Sequence, residues 1–119
     1  MNFLNYLLIA VIVLIVDLPW LLAGSNASRT MIQRIQGSDL EVRYLPSIVV
    51  YLALAYLVTL PKNITEAFLL GSTVYAVYDF TNLATLKNYS LRFAILDSLW
   101  GGVLFVIVHS IIENFKLNQ

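Results

Sequence analysis

The sequence predicts an all-α fold, a four-helix transmembrane bundle, and three observations predict it. Hydrophobic residues make up 60% of the 119 positions and charged residues 12%, where a soluble domain carries about 25% charged residues. A soluble chain of this length has no core large enough to hide that apolar surface, so the excess faces lipid. The apolar residues also fall into four runs, near 3–23, 45–60, 64–86 and 91–112, separated by shorter polar connections. Finally, no Gly/Ser/Pro-rich linker and no repeat divides the chain, so residues 1–119 read as a single integral membrane domain.

The first run carries one charge, Asp17. At ~1.5 Å per residue its length crosses a hydrocarbon core of ~30 Å. It lacks the basic start of a signal peptide, and Asp17 and Pro19 interrupt it, so it reads as a retained span. Pro19 has no N–H to offer Ile15, which predicts a kink near Asp17. The connection 24–44 places Met31, Ile32 and Ile35 on one helical face between Arg29 and Arg34. That spacing predicts a short interfacial helix, or a continuation of the first span beyond the membrane, ended by Gly37. The second run, 45–60, is bracketed by Pro46 and Pro61, coloured by Tyr44, Tyr51 and Tyr56, and short for a span.

Pro61-Lys62-Asn63 is a turn, and Asn63 followed by Glu66 fits a capping box opening the third helix. A second turn runs from Lys87 to Ser90, with Ser90 as N-cap of the fourth helix. The tail to Gln119 is polar and expected to be mobile. Asn-x-Ser/Thr triplets at Asn26, Asn63 and Asn88 fall on opposite sides of a four-span chain and read as caps or chance. Basic residues set the orientation. Arg29, Arg34, Arg43, Lys87 and Arg92 lie by the first and third loops, Lys62 and Lys116 on the other side. The positive-inside rule then makes the first and third loops cytoplasmic and leaves both termini outside.

Within this frame three carboxylates contradict their surroundings. Counted from the loop side, Asp17, Asp79 and Asp97 each lie six or seven residues into a span, or ~9–11 Å deep at one level. A carboxylate in hydrocarbon costs about 2.5–3.5 kcal/mol on insertion scales, so all three are expected to face inward. Tyr75, Asp79, Asn82 and Leu86 share a helical face, as do Asp97, Trp100, Gly101 and Leu104. The polar intramembrane site is therefore read as Asp17, Asp79, Asn82 and Asp97. Trp20, Tyr75, Tyr78, Thr81, Thr85, Lys87, Arg92 and Trp100 flank it. Thr81 and Thr85 are expected to act as glue between helices, and Lys87 and Arg92 as interfacial cations able to reach the aspartates. His109 stands alone near the far end of the fourth span and reads as interfacial or helix-bonded.

The motif Tyr78-Asp79-x-Thr81-Asn82-x-Ala84-Thr85-Leu86-Lys87, followed by Asp97-x-x-Trp100-Gly101, resembles that of a domain-of-unknown-function family of small four-span membrane proteins. Asp17-x-x-Trp20-Leu21 resembles the same family's pattern in the first span. The resemblance implies a four-helix membrane protein whose polar motif residues matter, and it implies no activity.

Several functions are excluded. Zero net charge argues against nucleic acid as a partner. The absence of cysteine removes thiolate chemistry and Cys-bound metals. No haem, flavin or nucleotide signature is present, nor a GxSxG elbow or P-loop. The acidic site favours a proton or a hard cation, and so a channel or transporter working as a homo-oligomer in the lipid bilayer. The alternatives are a carboxylate- or metal-dependent enzyme on a lipid-like substrate, with Asp17, Asp79 and Asp97 as candidate ligands, and a scaffold without turnover.

Overall fold

A computed structural model describes residues 1–118, and the chain is all-α. Five helices follow in order: α1 (Phe3–Ala23), α2 (Ser25–Gln36), α3 (Tyr44–Val58), α4 (Ile64–Thr85) and α5 (Leu91–Phe115). α1 and α5 are each long and apolar enough to cross a membrane by length and composition. α3 is apolar but only 15 residues long. α4 has 22 residues, and its Ser, Thr, Asn, Asp and Gly dilute its hydropathy.

The helix ends follow local chemistry. Asn2 Oδ1 accepts from the Asn5 N–H at 2.8 Å and opens α1, which continues as helix through Pro19 to Ala23. Gly24 closes α1, its N–H bonding the Trp20 carbonyl at 2.8 Å, and α2 starts at the next residue. Gly37 ends α2 with φ +77°, a left-handed conformation that a Cβ disfavours. Asn63 Oδ1 caps α4 on the Glu66 N–H at 2.9 Å, and Glu66 reaches back to the Lys62 N–H at 3.1 Å. Ser90 Oγ caps α5 on the Phe93 N–H at 3.1 Å. α3 stops two residues before the expected Leu60, and α4 ends at Thr85 with Leu86 as its cap. α5 runs past the expected Ile112 to Phe115, because Glu113, Asn114 and Phe115 carry no breaker and Lys116 takes the left-handed capping conformation. Of the tail expected to be mobile, Gln119 lies outside the described residues.

α4 pairs chiefly with α5, α1 with α3, and the two pairs meet through α1 and α5. Neighbouring helices run in opposite directions, so one half of the bundle gathers the start of α1, the end of α3, the start of α4 and the end of α5. That half holds the apolar core, including Ile9, Val13, Leu54, Val58, Leu104, Phe105 and Val108. The single histidine, His109, is buried beside it, towards the start of α4. The opposite half holds the three aspartates. There α2 lies against the α4–α5 turn: the Ser90 N–H bonds Met31 Sδ at 3.3 Å and Asn88 Nδ2 approaches the Arg34 carbonyl at 3.4 Å.

Glycines set the α4–α5 distance. A Cβ on Gly71 would collide with the Gly101 carbonyl oxygen, and one on Gly101 with the Tyr75 ring. Both residues are buried. Large apolar side chains elsewhere are exposed on α1, α3, α4 and α5, among them Leu22, Ile48, Val77 and Leu99.

Candidate functional site

Asp17 belongs to the buried stripe Ile9, Val13, Asp17, spaced by four residues so that one face of α1 looks inward. An ionised carboxylate there only accepts hydrogen bonds, so it needs donors. It finds two. The Trp100 indole N–H donates to Asp17 Oδ1 at 2.8 Å, and the Tyr51 hydroxyl donates to Oδ2 at 2.6 Å. One side chain thus ties α1 to α3 and α5.

Asp97 is held in the mirror-image way. The Trp20 indole N–H donates to Asp97 Oδ1 at 2.7 Å. Each helix carries Asp-x-x-Trp, Asp17 with Trp20 and Asp97 with Trp100. Because α1 and α5 are antiparallel, each tryptophan stands opposite the other helix's aspartate. The two indoles stack between them, with centroids 5.9 Å apart and planes 17° from parallel. Hydrogen bonds to a charged group contribute of order 1.5–3 kcal/mol each, and an aromatic pair about 0.5–1.5 kcal/mol beyond its burial. The exchange therefore holds α1 to α5 strongly through few atoms.

Asp79 is only 3% exposed. The Tyr89 hydroxyl, from the α4–α5 turn, donates to its Oδ1 at 2.8 Å. Burial first, then the bond to Asp79, push the Tyr89 phenol above its ordinary range, so it remains a donor at neutral pH. Asp79 Oδ2 is buried and has no partner among the described residues. The Asp97 carboxyl neighbours Asp79 across the α4–α5 contact. Removing the one donor exposes this balance: Tyr89→Phe is expected to cost about 1–3 kcal/mol in thermal unfolding, with Tyr44→Phe, on an exposed ring, as the unaffected control.

Asp17 and Asp97, with Trp20, Tyr51, Tyr75 and Tyr78, line a cavity of about 240 Å³ between the two helix pairs. Its near end reaches Gly24 and Ser28, where α1 turns into α2. Tyr75 and Tyr78 stack on each other at 6.1 Å.

The remaining site residues divide. Asn82 is half-buried beside Tyr89. Thr81 and Thr85 are exposed, and the Thr85 hydroxyl bonds the Thr81 carbonyl of its own helix at 2.8 Å. Thr85 is therefore not glue between helices; a threonine hydroxyl satisfies itself on the preceding turn when no acceptor faces it. Lys87 and Arg92 are exposed, and the donors that reach the aspartates are tryptophans and tyrosines instead. A short-tethered ring already inside the bundle meets the need without dragging a cation in from the interface. Among the described residues no group of three or more His, Cys, Asp or Glu side chains gathers as a metal requires. Asp17, Asp79 and Asp97 lie in one half of the bundle but not in one coordination sphere, because Asp17 spends both oxygens on Trp100 and Tyr51.

Sequence reasoning passed over Tyr51 and Tyr89 as donors. Tyr51 had a signal: it lies seven residues into α3 from the loop side, at the same depth as the aspartates. Tyr89 had none, since its role depends on how the turn folds back over Asp79.

A family model described as "predicted membrane protein", DUF2177, matches residues 2–112. The chain belongs to this family. The match takes in the three aspartates, both tryptophans, Tyr51 and Tyr89, and it places the protein with the lipid bilayer. Membership of DUF2177 carries no activity with it. No curated protein and no solved structure matches the chain.

Proposed function

We propose that this protein is a four-span, single-domain transporter or channel that moves a proton or another cation through its acidic site as a homo-oligomer. The observation that carries the reading is Asp79, buried with an oxygen that lacks a donor, beside Asp97, whose carboxyl lines the cavity. One proton between the two carboxyls gives Asp79 Oδ2 the donor it lacks. A cation arriving at Asp97 competes with that proton, which is how such a pair couples two positive charges.

Topology supports a crossing path. The long axis of the chain is 46 Å, against ~40–45 Å for a bilayer with its interfaces. α4 is ~33 Å long, enough to cross, and its buried carboxylate, Asp79, turns to Tyr89 instead of lipid. α3 is ~22 Å and spans when its ends are extended by the flanking residues. α2 and the α4–α5 turn touch, so the first and third loops share one end. Five of the seven basic residues lie there, which makes that end cytoplasmic and puts the termini outside. The chain is too small for the repeat-pair plan of most secondary transporters, and a second copy supplies the missing walls.

A specific observation favours a second reading. Asp17 has both oxygens satisfied, as a purely structural clasp requires. Flux separates the two. Purified protein in liposomes is expected to dissipate a proton or monovalent-cation gradient, with the rate reduced at least ~10-fold by Asp79→Asn and unchanged by Thr73→Ala on the exposed face of α4. Absence of flux for proton, monovalent and divalent gradients removes the transport reading and leaves the clasp.

A further inference from the structure

We infer that the cavity between the helix pairs binds an organic ammonium group. The inference deepens the cation reading above and rests on it for the sign of the ligand, not for its movement. Two carboxylates, Asp17 and Asp97, face the cavity, and among the described residues that line it none is basic. The cavity therefore selects positive charge.

The walls decide which kind. A hard metal ion asks for six or more oxygen ligands. Here Asp17 has committed both oxygens to Trp100 and Tyr51, and Asp97 has committed Oδ1 to Trp20. Asp97 Oδ2 takes no side-chain donor among the described residues, and a cation seated there competes with the proton proposed above between Asp97 and Asp79. Half of the remaining lining is aromatic, Trp20, Tyr51, Tyr75, Tyr78 and Phe93, and most of the other half is aliphatic. Indole and phenol faces attract a soft, weakly hydrated cation through their quadrupoles, and they do nothing comparable for the oxygen demand of a metal. A volume of about 240 Å³ falls below the ~300–1,000 Å³ of drug-sized sites and suits a headgroup-sized cation. An ammonium seated against Asp97 with aromatic rings around its alkyl groups uses every one of these features. A quaternary ammonium of this kind is found free, as in choline, and on a phospholipid, as in phosphatidylcholine.

The protein carries its own reporter. Its only two tryptophans, Trp20 and Trp100, are the stacked pair at this site. Tetramethylammonium or choline titrated into the protein in phosphatidylglycerol nanodiscs is expected to give a saturable change in tryptophan emission. Na⁺ and the neutral choline isostere 3,3-dimethyl-1-butanol are expected to be at least ~10-fold weaker. Asp97→Asn and Tyr78→Leu are expected to weaken tetramethylammonium by a similar factor. In phosphatidylcholine nanodiscs, emission already at the saturated level identifies the lipid headgroup as the source; emission that still responds to choline identifies a free ligand. An equal response to the neutral isostere, an equal response to Na⁺, or no saturable response in phosphatidylglycerol overturns the inference. The wild-type comparison of charged and neutral isosteres stands even where a variant fails to fold. Ammonium binding without flux keeps this inference and removes transport, whereas flux without ammonium binding does the reverse.

Discussion

Gly71→Ala is expected to abolish the folded bundle in detergent at temperatures where the parent chain stays intact. The added methyl carbon would meet the Gly101 carbonyl oxygen and the Phe105 side chain at impossible distances. The first of these is backbone, and it cannot rotate away. α4 and α5 form the closest helix pair of the fold, so relief requires moving the two apart along much of their length. Overpacking a tight core costs about 1–3 kcal/mol and sometimes more. A clash against backbone belongs at or above the upper end of that range. Loss of the cooperative thermal transition, or a fall in monodisperse protein, reads the effect. Gly37→Ala is the useful contrast. No atom lies near its Cβ, but φ is +77°, so its cost is confined to about 1–2 kcal/mol of left-handed strain. If the two substitutions are equally mild, the α4–α5 contact is not as close as described.

Asp17→Ala is the second large effect. It leaves the Trp100 indole and the Tyr51 hydroxyl without an acceptor, and a buried donor so stranded costs about 1–3 kcal/mol. With two stranded at once, a loss of roughly 3 kcal/mol is expected, seen as a lowered unfolding midpoint. Tryptophan emission is expected to shift as well, because Trp100 loses its partner while Trp20 keeps Asp97. Asp17→Asn separates charge from acceptor: its amide oxygen serves one donor only, so it is expected to fall between the parent and Asp17→Ala. A variant Asp17→Ala as stable as the parent would show that the Trp–Asp exchange contributes little to holding α1 against α5.

Much of the architecture is readable in the residues because lipid imposes strong rules. The apolar runs give the helices, Gly37 stops α2, and Asn63 and Ser90 cap α4 and α5 where short polar side chains meet free N–H groups. Depth counting brings Asp17 and Asp97 to one level, where the structure links each to the other helix's tryptophan. Partners are harder to read. A carboxylate among apolar residues suggests a cation, and the eye goes to Lys87 and Arg92. In the fold, indole and phenol donors answer instead, because they are amphipathic enough to live inside the bundle. Nothing in the sequence spacing tells that Thr85 will turn its hydroxyl onto Thr81, since that choice depends on which neighbour α4 fails to have there. The start of α5 behind Tyr89 is similar: a turn of few residues decides whether the ring covers Asp79 or faces water.

The reciprocal tryptophan bonds join residues 77 and 83 positions apart. At synthesis rates of about 5–20 residues per second, Asp17 waits roughly 4–17 s for the segment that completes its site. Throughout that interval it lacks Trp100, and until the chain has grown 34 residues past it, it lacks Tyr51 as well; a lone carboxylate in hydrocarbon opposes insertion by about 2.5–3.5 kcal/mol. α1 has to enter the bilayer on its own apolarity, and its 21 residues are among the two stretches apolar enough for that. The unbroken run of Leu, Ile and Val before Asp17 is thus explained by the order of manufacture as much as by the finished bundle. A ribosome-stalled chain ending before α5 would already be inserted, and would still lack its acidic site.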